Sequence, residues 1–131
     1  MSLERFLTAI SYPDRAGIDG GHAVLLVDES EVIVDKIGGY YRFTAMLDVG
    51  EDELVTVASY VPGRIYRDDA TLTMDDAGKV YLWQEAQANL GEQELRLAFE
   101  SFLAARDWWL ERLDKERSGS QMLFPDIAIR P

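Results

Sequence analysis

The stretch VLLVDESEVIVDKIGGYYRFTAMLDVG, residues 24–50, constrains the fold more than any other part of the chain. Its β-branched and aromatic runs are broken at Asp28-Glu29-Ser30 and at Gly38-Gly39, so it reads as three consecutive strands. Gly-Gly suits a two-residue hairpin turn, which needs positive φ. In the third run Tyr41, Phe43, Ala45 and Leu47 share one face, while Tyr40, Arg42, Thr44 and Met46 share the other.

Helical patterns flank this meander. Over residues 2–11, Leu3, Phe6, Leu7 and Ile10 recur at spacings of three and four, Ser2 can cap the first turn, and Pro13 stops it. The intervening AGIDGGHA, residues 16–23, reads as a glycine-rich loop. Residues 51–61 are ambiguous. Valine and threonine favour strand, but Leu54, Val57, Ala58 and Val61 follow helical spacing. Three acids at the start complement a helix N-terminus and Pro62-Gly63 ends the pattern, so a short helix is favoured. ATLTMDDAGKVYLWQEA then reads as strand, turn, strand, with Gly78 where a left-handed residue is needed. Residues 91–119 form a strong amphipathic helix. Leu95, Phe99, Phe102, Trp109 and Leu113 lie on one stripe, which Leu103 and Leu110 widen. The predicted fold is α+β, an antiparallel sheet with helices in the order α-β-β-β-α-β-β-α. One domain spans 1–118, followed by an apolar tail, 119–131.

Charge and composition narrow the chemistry. The chain holds 24 acids and 13 bases, a formal charge of −11. Nucleic-acid phosphates need clustered Lys and Arg, and an anionic membrane repels such a surface. The longest apolar run, Ala23 to Val27, is far short of a membrane span, and the N-terminus does not read as a secretory signal, so a cytoplasmic location is expected. Without cysteine there is neither a disulfide framework nor a thiolate zinc site.

The acidic cluster at Asp68, Asp69, Asp75 and Asp76 flanks a strand. Its two pairs would stand about 15–20 Å apart at the usual strand rise, too far for one coordination sphere. Turn chemistry is the expected role, with no metal and no cofactor. His22, the only histidine, has no cysteine and no recognised serine motif to activate. Gly17 to Gly21 lacks a phosphate-loop lysine, and Glu85 has no second carboxylate placed to share acid–base work. No catalytic site is expected. Of Trp108-Trp109, one ring should fill core and the other lie partly at the surface, since adjacent helical positions diverge by about 100°.

With Phe6 in the first helix, VLLVDES, YYRFTAMLDVG, GKVYLWQEA and LAFESFLAARDWW in this order, residues 2 to 115 resemble the class I type III secretion chaperones, the Tir-chaperone-like family. The resemblance implies a non-enzymatic homodimer. Such dimers bind the N-terminal segment of a secreted effector in extended form, keeping it soluble and export-competent, a role tied to virulence. Extended peptides add to a sheet edge through backbone hydrogen bonds while alternate side chains fill pockets.

The residues suggest where such contacts would fall. The first helix and first three strands carry more apolar surface than a monomer should hide, making Phe6, Ile10, Val32, Val34, Tyr41, Phe43 and Met46 the expected effector-binding groove. Ile65, Tyr66, Leu72, Tyr81 and Trp83 are the expected dimer interface, on the second helix and the 70–86 hairpin. In the tail, Ile127 and Ile129 alternate as an added edge strand would, after a flexible Ser-Gly-Ser link and with Pro125 opposing helix. The alternative reading is an acidic immunity or inhibitor protein covering a basic partner surface.

Overall fold

The computed structural model describes the backbone of residues 6–7, 15–19, 22–28, 30–64 and 67–129, and side chains except those of 15–19 and 119–129. Six strands form one sheet, β1 (Arg15–Asp19), β2 (His22–Val27), β3 (Ser30–Ile37), β4 (Tyr40–Leu47), β5 (Thr71–Met74) and β6 (Val80–Gln87). Their spatial order is β1-β2-β3-β4-β6-β5, every pair antiparallel. A 3₁₀ turn, Glu51–Glu53, leads into helix α1 (Leu54–Arg64), and the chain ends in the long helix α2 (Glu92–Ile129). Phe6 and Leu7 are also helical. The expected α+β class and antiparallel sheet are borne out.

Alternation of side chains gives the sheet one dry and one open face. Leu25, Val32, Val34, Tyr41, Phe43, Ala45 and Leu82 point to the dry face and are buried. There they meet Phe6 and the stripe Leu95, Phe99, Phe102, Trp109 and Leu113 of α2. Phe6 stacks on Tyr41 at 4.5 Å between ring centroids, and Phe43 meets Phe99 edge-on at 5.2 Å. Trp109 is buried and Trp108 half-buried, as adjacent helical positions require.

Three local expectations are corrected. Residues 16–23 do not form one loop, because β1 covers Arg15–Asp19 and pairs with β2. A register shift between Arg15 and Gly17 accommodates the extra residue. Pairing with a neighbouring strand outweighs the poor strand propensity of glycine there. Helix α1 runs through Pro62 and Gly63 to Arg64. The missing proline N–H costs one backbone bond, to the Ala58 carbonyl, in the last turn only. Most extensively, α2 continues through Gly119 and Pro125 to Ile129, so the backbone of 119–129 is helical and not the flexible link and edge strand expected. Extending an anchored helix adds one bond per residue fixed, which offsets weak local propensity.

Candidate binding face of the sheet

Among the described residues no helix covers the other face. The odd positions of β3 and β6 and the even positions of β2 and β4 point into it, and the strand register arranges them in rows. One row is ionic, His22 opposite Asp35, Asp35 opposite Arg42, and Arg42 opposite Glu85. His22 Nδ1 lies 2.5 Å from Asp35 Oδ1, and Arg42 donates to Glu85 Oε2 at 3.2 Å. The Arg42 guanidinium also lies over the Trp83 ring, 5.3 Å from its centroid.

The next row runs Val24, Ile33, Thr44, Trp83 and Thr71, partly buried except for the exposed Thr71. Trp83 Nε1 donates to Thr73 Oγ1 at 2.8 Å, fixing the indole flat against the edge hairpin. Beyond it lie Leu26, Glu31, Met46 and Tyr81. Leu26 is 41% and Met46 55% exposed, high for large apolar side chains on a folded domain. Leu26, Ile33, Met46, Tyr81 and Trp83 therefore make an apolar patch across four strands, with Glu31 and Thr44 set among them.

The acidic cluster at the end of this face is structural. Asp75 Oδ1 accepts from the Ala77 and Lys79 amides, both at 2.9 Å, and Oδ2 accepts from the Tyr81 hydroxyl at 3.0 Å. The Lys79 amide, first among these, holds the Asp75 carboxyl below its usual range. The bond to Asp75 likewise raises the Tyr81 phenol. Asp68 accepts a two-pronged bond from Arg64, at 3.0 and 2.8 Å. These aspartates are spent on turns and a helix end.

A second feature lies at the free edge. Among the described residues β5 pairs on one side only, and beside it a cleft of about 210 Å³ opens between Val61, Arg64, Asp68, Leu72 and Trp109. Arg64 stacks over Trp108 at 3.9 Å, closing one wall. Val55 of α1, nearby in the chain, is 82% exposed.

The structure separates the residues singled out in the sequence. Phe6, Val32, Val34, Tyr41 and Phe43 have no exposed surface and are core, which corrects their assignment to an open groove. Burial also pushes the Tyr41 phenol up. Met46 is on the open face, while Ile10 lies outside the described residues. Of the expected dimer residues, Leu72 lines the edge cleft, Tyr81 and Trp83 stand on the open face, and Ile65 and Tyr66 lie outside the described residues. Sequence reasoning missed Leu26, Ile33 and the ionic row. The signal was present, since the outward sets of three strands carry a charge, Asp35 on β3, Arg42 on β4 and Glu85 on β6, which marks the solvent side.

No protein-family model matches the chain, and no curated protein matches it in sequence. Solved structures do. A chain of the HopA1–SchA chaperone–effector complex superposes with a TM-score of 0.64 at 14% identity, over 83% of this chain and 90% of that one. A chain of the ExsC–ExsE complex gives 0.59 at 22% identity, over 83% and 94%. YbjN, a proposed transcription regulator from E. coli, gives 0.58 at 16%, over 91% and 90%. The chain has the type III secretion chaperone-like fold. Among the described residues no helix is long and apolar enough to cross a membrane.

Proposed function

We propose that this chain is a cytoplasmic type III secretion chaperone. It binds the N-terminal segment of a secreted effector in extended form, keeps it soluble and export-competent, and acts as a non-enzymatic homodimer. The observation that carries the reading is the fold likeness to a chain of a chaperone–effector complex, with one sheet face and the β5 edge uncovered among the described residues. The free edge of β5 offers unpaired backbone groups, and an edge pairing with a second copy would set Leu72 and the neighbouring cleft against its twin. Arg42 pairs with Glu85 and Asp75 is bonded within its own turn, so these groups form no acid–base pair poised for chemistry.

The test is affinity capture of the tagged chain from its source cells, with the bound protein and its protected segment identified by limited proteolysis. The expected result is one secreted protein, held through its N-terminal region, whose export fails when this chain is deleted. Capture of a folded enzyme or toxin through its globular domain, with export unaffected, would sink the chaperone reading in favour of an acidic inhibitor.

A further inference from the structure

We infer that the open sheet face is a docking surface for a basic amphipathic segment, one whose apolar side chains are interleaved with lysine or arginine. The inference takes the cargo of the proposed function as the occupant and so rests on that reading. It adds a different location and a chemistry. The buried residues first expected to form a groove cannot supply contacts, whereas Leu26, Ile33, Met46, Tyr81 and Trp83 form a patch across β2, β3, β4 and β6. Neighbouring strands stand about 4.8 Å apart, so the patch is about 14 Å wide, room for three or four side chains of a segment lying across it.

Charge decides the occupant. On one side the patch is bounded by the ladder His22–Asp35 and Arg42–Glu85, whose members are already paired. Within the patch the exposed Glu31 stands in the row between Leu26 and Met46, and Asp28 and Asp48 lie beyond it at the same end of the sheet. Of the bases there, Arg117 is committed to Glu53 and Arg106 is buried against the Val27 carbonyl, which leaves Lys79. A ligand that seats apolar groups on the patch therefore meets Glu31 within it and further carboxylates on the turn side, and its own bases belong beside them. A second copy of this chain is a poor occupant, because it brings a charge of −11 toward acids of the same sign.

The probe is a short labelled peptide of alternating leucine and lysine, compared with the same peptide carrying glutamate for lysine, by fluorescence anisotropy. The lysine peptide is expected to bind and the glutamate peptide not. The double substitution Leu26→Lys and Met46→Lys should weaken binding about tenfold or more. Glu31→Lys should weaken it several-fold and flatten its salt dependence. Leu97→Lys is the control, since Leu97 is 55% exposed but lies on α2. Equal binding of both peptides would overturn the inference, as would an equal loss in the Leu97 variant. A change of oligomeric state caused by the Leu26 and Met46 substitutions would also overturn it, assigning the face to a second copy. The two readings separate in cells. An effector still held by the doubly substituted chain leaves the chaperone reading standing and removes this surface. Peptide binding as expected, with no secreted protein held in cells, keeps the surface and removes the chaperone.

Discussion

Arg106 occupies a position that the helical stripe reserves for an apolar side chain, one turn beyond Phe102 and one before Trp109. It is only 2% exposed. Its guanidinium donates to the Val27 carbonyl at 3.1 Å and to the Ser30 hydroxyl, binding the β2–β3 turn to α2. Asp28 in that turn holds φ at 50°, a left-handed conformation that aspartate tolerates but does not favour. The arginine thus fastens a turn whose backbone is held away from its preferred region. Arg106→Ala removes both bonds together with the buried arginine stem, leaves a void beneath the turn, and should lower the unfolding free energy by about 2–4 kcal/mol. Arg106→Met should cost less, because it keeps the apolar stem without a buried charge. Urea titrations of the two variants check this. An alanine variant as stable as the parent would show that the contact holds nothing. Nothing in the sequence marks Arg106, since a charge on an amphipathic helix is read as solvent-facing until its partner across 79 residues is known.

At the scale of elements, the junction between β4 and α1 is closed by Arg117 of α2. Arg117 donates to both Glu53 oxygens, at 2.8 and 2.9 Å, and to the Asp48 carbonyl, while Glu53 accepts from the Gly50 amide. The Arg117 bond, first among the causes, lowers the Glu53 carboxyl from its ordinary 4.5. A carboxylate depressed on folding contributes stability that is present above its unfolded value and is lost as pH falls through its folded value. The parent should therefore lose stability on acidification below about pH 4.5 more steeply than Glu53→Gln, by an amount of order 1 kcal/mol for a pair this exposed. Urea midpoints at neutral pH and at low pH give the comparison, and parallel losses in both proteins would refute it. The elements themselves were largely legible. Gly38 with φ 58° and Gly78 with φ 84° stand where the turn chemistry requires them, and the alternation of β4 separates Phe43 from Met46 correctly. Alternation alone names two faces without saying which is covered, so it does not distinguish the buried Val32, Tyr41 and Phe43 from residues of an open groove. β1 and the helical extension to Ile129 were illegible for a different reason. Both depend on a neighbour, the ladder of β2 and the anchored body of α2, rather than on their own residues.

At the scale of the whole molecule, the proposed dimer and the proposed cargo contact respond to salt in opposite directions. Two chains of charge −11 repel as they approach, and the edge of β5 offers apolar and backbone contacts but no complementary field to offset that repulsion. Added salt screens it over a Debye length of about 10 Å at 0.1 M, so the homodimer should tighten as salt rises. A basic segment on the acid-rimmed sheet face is attracted by the same charge, and its association should slow and weaken under the same change. Leu72 tests the placement of the dimer contact, because it lines the cleft beside β5 and lies on the face opposite Met46. Leu72→Glu should shift the dimer to monomer in light scattering at micromolar concentration while leaving peptide binding to the open face intact. Leu26→Lys with Met46→Lys should do the reverse. A dimer that weakens with salt, or a chain that is monomeric at every salt concentration, would remove the edge-to-edge dimer. A Leu72 variant that loses peptide binding together with dimerisation would show that the two surfaces are not independent.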